Sequence, residues 1–190
     1  MTTTTGGRRS GAETRAQILQ VALRLFAEKG YEATSTRDIS SELGMTKSSL
    51  YYHFRNKEAI LLGLMEDRAR ELDIFIEWIN AQPATPGLLQ RAVMRWVETS
   101  TPGRLEVMRV AGANQPMLRR IDGRYNVRQL FDRVIDLLVD PEASQEERLF
   151  VRMAFDTVSA ALVAAQGTGA SADDVLAAAR RASRELVKAF

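Results

Sequence analysis

Thr36-Arg-Asp-Ile-Ser-Ser-Glu-Leu-Gly44-Met-Thr-Lys-Ser-Ser-Leu50-Tyr-Tyr-His-Phe54 reads as two short helices joined by a glycine turn. Ile39 and Leu43 share one face of the first helix, and Leu50 and Phe54 share one face of the second. Neither helix is long enough to stand alone in water. Each needs a neighbour to cover its apolar side. The segment upstream supplies one. Ile18, Ala22 and Leu25 recur at helical spacing, Leu19 and Phe26 widen the stripe, and Gly30 ends it. Residues 10–55 are therefore expected to form one three-helix unit. With Leu50 and Phe54 turned inward, Ser48 and Tyr52 point outward, Ser49 and Tyr51 lie to the sides, and Lys47 and His53 sit at the margins. Small hydroxyls, phenols and a cation on one face suit phosphates and base edges. Helix starts near Thr36 and Lys57 would offer further free N–H groups to phosphate.

Beyond this unit the chain continues as helices. Ser10-Gly-Ala-Glu13, Ser35-Thr-Arg-Asp38, Ser144-Gln-Glu-Glu147 and Ser171-Ala-Asp-Asp174 read as capping boxes. Thr85-Pro86 and Thr101-Pro102 read as an N-cap followed by proline in the first helical position, and Asn56 and Asn114 are further cap candidates. No stretch alternates like a half-buried strand. An all-α chain of about nine helices follows, near 12–29, 36–43, 47–53, 57–80, 86–99, 102–112, 116–138, 145–166 and 172–188.

Composition excludes several alternatives. The 190 residues include no cysteine and one histidine, His53, so disulfide frameworks, thiol nucleophiles and di-histidine metal sites are out of reach. No glycine-rich phosphate loop is present, and the acids Asp67, Glu71 and Glu77 read as a solvated helix face. The chain is not expected to be an enzyme, and neither a metal nor a cofactor is implied. Thr157 to Ala172 is the longest uncharged stretch, and polar and glycine residues interrupt it, so no membrane span is expected. Residues 1–9, with Arg8 and Arg9, read as a disordered tail without a secretory signal, which implies the cytoplasm. Residues 1–60 carry nine Lys and Arg against six Asp and Glu, while residues 61–190 carry 17 against 18. A basic head on a near-neutral body suits an anionic partner.

The run from Thr14-Arg-Ala-Gln-Ile-Leu through Ala22-Leu-Arg-Leu-Phe-Ala-Glu-Lys-Gly30-Tyr31, Thr36-Arg-Asp-Ile-Ser and Leu43-Gly-Met-Thr-Lys-Ser-Ser-Leu-Tyr-Tyr-His-Phe-Arg-Asn-Lys-Glu58 closely resembles the DNA-binding domain of the TetR family of bacterial transcriptional regulators. The resemblance covers about residues 12–62, and Ser35 stands where threonine is commoner. It implies a helix-turn-helix DNA-binding domain at 10–56 and a helical ligand-binding and dimerisation domain at 57–190. It implies phosphate contacts from Thr36 and Arg37. Thr46, Lys47, Ser48 and Ser49 would meet base edges, and Tyr51 base or backbone. Tyr52 and His53 would brace a phosphate, and Lys57 would contact another. His53 has a second reading, as a structural hydrogen-bonder inside the domain.

The function implied is a repressor that binds a palindromic DNA operator as a homodimer and is released by a small molecule. The alternatives are an activator, or a module of the same fold that acts through protein partners. The resemblance places a pocket for an apolar or amphipathic ligand among the middle helices. Met65, Trp78, Trp96, Met108, Arg109, Asn114, Met117 and Tyr125 are candidates to line it, with Arg95 and Gln115 as further polar groups. Helix 145–166 is apolar nearly all round in its second half, which implies burial on more than one side. A four-helix bundle built from two copies would place Val151, Phe155, Val158, Leu162, Val175, Ala179, Ala182 and Leu186 at a dimer interface; an intramolecular core is the other reading.

Overall fold

A computed structural model describes residues 10–121 and 127–190. Among them are eleven α-helices and a closing 3₁₀ turn, and no strand. The helices are α1 (Gly11–Lys29), α2 (Thr36–Glu42), α3 (Lys47–His53), α4 (Lys57–Asn80), α5 (Leu88–Glu98), α6 (Pro102–Ala113), α7 (Gln115–Ile121), α8 (Val127–Leu138), α9 (Gln145–Phe155), α10 (Thr157–Ala164) and α11 (Ala172–Leu186). The expected tail at 1–9 and the middle of the helix expected at 116–138 lie outside the described residues.

The caps behave as side-chain chemistry dictates. Ser10, Ser35, Ser144 and Ser171 all close reciprocal capping boxes. Asn56 Oδ1 accepts from the Ala59 amide at 2.8 Å, and Thr101 caps α6 ahead of Pro102. Asn114 ends α6, donating from Nδ2 to Val110 O at 2.7 Å, and its carbonyl accepts from the Leu118 amide at 3.0 Å as α7 begins. Thr85 is not an N-cap, and Gly87 precedes α5 in its place. Gly87 has φ +88°, and the Leu88 amide donates to Thr85 O at 3.1 Å. Pro86 and Gly87 thus occupy the centre of a type II turn, which only glycine adopts readily at its second central position, and α5 starts two residues late. The helix expected at 145–166 breaks at Asp156, whose amide is shared between Arg152 O and Met153 O. Beside the break, Ser183 Oγ of α11 bonds Thr157 Oγ1 at 2.7 Å and Ala154 O at 3.1 Å, a buried polar clasp.

Two apolar cores divide the molecule. The first joins Ile18, Ala22, Leu25 and Phe26 of α1 to Ile39, Leu50 and Phe54, and is closed by Ile60, Leu61, Leu64 and Met65 of α4 and Val110 of α6. Burial of each large side chain contributes about 1.5–3 kcal/mol, which is what holds the seven-residue helices α2 and α3. A Cβ on Gly63 would lie 2.9 Å from Leu19 Cδ2 and 3.0 Å from Phe54 Cε1, so glycine permits this close approach of α4. The second core begins at Leu72, further along the same helix, and takes in α5, α6, α8, α9, α10 and α11 around Phe75, Trp96, Phe131 and Phe155. α4 therefore belongs to both cores, and the seam falls between Met65 and Leu72.

The second core takes in most of the stripe expected at a dimer interface. Val151, Phe155, Val158, Leu162, Val175 and Ala179 are buried inside a single chain, and Leu186 packs against them. Within this single chain α5, α6 and α8 pack against that stripe. Ala182 is exposed.

Candidate nucleic-acid interface and cleft

The turn between α2 and α3 is built on backbone bonds. Gly44 has φ +61°, its amide donates to Ser41 O at 3.1 Å, and the Met45 amide donates to Ser40 O at 2.9 Å. Thr46 then caps α3, accepting from the Ser49 amide at 3.2 Å. Leu50 and Phe54 are buried, so the opposite side of α3 faces solvent. Thr46, Lys47, Ser48 and Ser49 are exposed, Tyr51 is 41% exposed and Tyr52 86%. Lys47 Nζ lies 5.5 Å from the centre of the Tyr51 ring, and Tyr51 Oη is 3.4 Å from Thr36 Oγ1. These contacts bring the start of α2 and the outer face of α3 into one surface. Arg37 is exposed beside Thr36. His53 is half-buried, its ring edge-on to Tyr52 at 5.2 Å.

Lys57 is held differently. Its Nζ donates to Tyr31 O at 2.7 Å and to Glu32 O at 3.4 Å, and lies 4.1 Å over the Tyr31 ring. It ties the start of α4 to the loop after α1, and must give up these bonds to reach a phosphate. Tyr31 Oη is buried, and burial pushes its pKa up. Arg15 adds a second tie from α1, with an ion pair to Glu66 at 2.7 Å and a guanidinium 4.8 Å over Phe54.

The helices behind the head enclose a cleft of about 1390 Å³. Met65, Met108, Arg109 and Gln115 line it, as the sequence suggests. Trp78, Trp96, Asn114 and Met117 do not. Trp78 stacks on Phe75 at 5.9 Å and under Arg95, Trp96 is in the second core, Asn114 caps a helix, and Met117 packs on the head. Aromatic and methionine side chains at helical spacing were here recruited to packing. Tyr125 lies outside the described residues. Sequence reasoning missed the polar wall: Arg68, Arg148, Arg152, Asp132, Asp156 and Ser159 also line the cleft. Charged residues on amphipathic helices give no sign in sequence of whether they face solvent or a cavity. Among the described residues no three acidic or histidine side chains form a metal-binding group, and no helix is long and apolar enough to cross a membrane.

Comparison with known proteins agrees with this geometry. Residues 18–64 match the profile of bacterial regulatory proteins of the tetR family. The HTH-type transcriptional repressor KstR2 of Mycolicibacterium smegmatis is 35% identical over 68 residues, 36% of this chain and 30% of that protein. The HTH-type transcriptional regulator EthR of the same species is 34% identical over 102 residues, 51% of this chain and 46% of that protein. The chain thus matches less than half the length of either relative. The crystal structure of the TetR family regulator PfmR from Thermus thermophilus shares the fold over 90% of this chain and 97% of that one, with TM-score 0.63 and 24% identity. Over residues 18–64 the chain is thus similar to the bacterial regulatory proteins of the tetR family, and the likeness of fold extends to the helices that follow.

Proposed function

We propose that this chain is a DNA-binding transcriptional regulator, acting as a homodimeric repressor in the cytoplasm. The outer face of α3 carries the proposal: Lys47, Ser48, Ser49, Tyr51 and Tyr52 stand in solvent over buried Leu50 and Phe54, with Thr36 and Arg37 alongside. Such a helix fits the major groove, its hydroxyls and ammonium reading base edges and phosphates. The functional division is 10–56 for DNA and 57–190 for ligand and dimer contacts. α4 mechanically couples the two, because its first turns belong to the head's core. Two heads one helical turn of DNA apart, about 34–36 Å, meet successive grooves of a palindromic operator. A small molecule in the cleft releases the operator if it binds the mis-spaced state more tightly. The names of the relatives, a repressor and a regulator, support this reading over catalysis.

The proposed dimer surface is the part of α9, α10 and α11 that one chain leaves uncovered. Met153 is 57% exposed, and Ala160, Ala164, Ala178 and Ala182 are exposed small residues that permit close helix approach. The test of the whole reading is a gel-shift titration with DNA from upstream of the chain's own gene. The expected result is sequence-selective binding that weakens steeply between 50 and 200 mM salt, roughly as counterion release requires. Binding without sequence preference or salt dependence refutes it.

A further inference from the structure

Among the described residues four arginines line the cleft, Arg68, Arg109, Arg148 and Arg152, and they are not equivalent. Arg148 pairs with Asp136, and Arg152 with Asp132 at 2.8 Å and Asp156 at 3.3 Å. Arg68 is less well matched. It is largely buried, its guanidinium lies 4.4 Å from the centre of the Trp96 ring, and its Nη1 donates to Glu71 Oε2 at 3.0 Å. That same oxygen also faces Arg104, whose side chain is 7% exposed and stacks 4.1 Å over Trp96. Arg104 Nε is 3.3 Å from Glu71 Oε2 but out of line for a hydrogen bond, and its buried Nη2 has no acceptor among the described residues. Two buried guanidinium groups therefore share one carboxylate, which is itself half in solvent. One positive charge in this cluster lacks a counter-charge among the described residues. Buried charge without a partner is costly, so the cluster favours an arriving anion. Arg68 is the member that opens onto the cleft, and exposed Arg109, with no acidic partner among the described residues, lines the same space.

We propose that the cleft binds an amphipathic carboxylate, its head received by Arg68 and its apolar body lying against Met65, Val107, Ile135 and Leu162. This rests on the cleft reading above and narrows it to a charge class. The site also suggests how occupancy reaches the head. Arg68 sits on α4 between Met65 and Leu72, at the seam of the two cores. Glu71 and Arg104 join α4 to α6 there, and α6 supplies Val110 to the head's core. A carboxylate that takes over Arg68 frees Glu71 toward Arg104 and resets the junction of the two helices that enter the head.

The test is calorimetric titration of the full chain, without DNA, by three probes with the same tail: dodecanoate, dodecan-1-ol and dodecyltrimethylammonium, each below its micelle concentration. Dodecanoate is expected to bind about tenfold tighter than the alcohol, the scale of one hydrogen bond to a charged group, with the cation weakest. Arg68→Gln is expected to bring dodecanoate to the level of the alcohol, and Arg68→Lys to keep most of the preference. Equal affinity for carboxylate and alcohol, or tighter binding of the cation, overturns the charge assignment and leaves the cleft reading standing. Absence of binding by all three overturns the cleft reading itself. A folded Arg68→Gln chain that keeps the preference overturns the role of Arg68. If circular dichroism shows that variant unfolded, the head-charge series on the unaltered chain decides alone.

Discussion

Tyr52 has almost no protein around it, and Lys47 leans on a phenol that is itself at the surface. Side chains placed this way contribute little to folding, because they bury little apolar area. Their removal therefore separates recognition from stability. Lys47→Ala and Tyr52→Ala are each expected to weaken operator binding about tenfold, the scale of one lost phosphate or base contact. The thermal midpoint should move by no more than about 2 °C. Fluorescence anisotropy with the operator fragment and a calorimetric melt check the two halves. Regulation that survives both substitutions would favour a protein-partner module. Lys57 teaches the converse: a lysine at a helix start that looks free in sequence is spent on the Tyr31 carbonyl.

At the scale of an element, the helix starts are where pH enters. The Asp38 carboxylate accepts from the Ser35 hydroxyl at 2.6 Å and the Ser35 amide at 2.8 Å, which holds it below the usual aspartate range. Asp174 is held down in the same way by Ser171. A carboxyl whose pKa is lower folded than unfolded stabilises the fold above the unfolded value, about pH 4, and loses that contribution as pH falls through the folded value. Asp38→Asn should therefore lower the urea midpoint at pH 7 and shrink the difference between pH 7 and pH 3. An unchanged difference would show that the capping box of α2 carries no linkage. The box was legible in the sequence because its partners lie three residues apart. The break at Asp156 was not, because its clasp comes from Ser183 on another helix.

At the scale of the molecule, the question is which apolar surface is left for a second copy. Val151, Phe155, Val158 and Leu162 of α9 and α10 are consumed by the chain's own core, Leu149 and Val163 are exposed along the cleft, and Met153 remains outside with several alanines. A bulky charge on each of two helices of that surface would keep the partner away. Ala164→Arg combined with Ala182→Arg is expected to convert a dimer into a monomer at micromolar concentration, read by sedimentation velocity. The monomer should bind the palindromic operator at least about tenfold more weakly, since only one half-site is engaged at a time. A doubly substituted chain that stays dimeric moves the interface elsewhere.

The sequence by itself determined the local and the periodic: the all-helical class, the capping boxes, the glycine turn before α3, and which side of α3 is buried. Each of these depends on residues within about one or two helical turns, where spacing dictates geometry. Tertiary structure alone decided the rest. It assigned Trp78 and Trp96 to packing, moved Val151, Phe155 and Val158 into the intrachain core, and turned Arg68, Arg148 and Arg152 toward a cleft. An apolar stripe says that a face is covered without saying by what, and a charged one does not say whether it meets water or a cavity. Those answers come from helices far apart in the chain, whose packing no local pattern records.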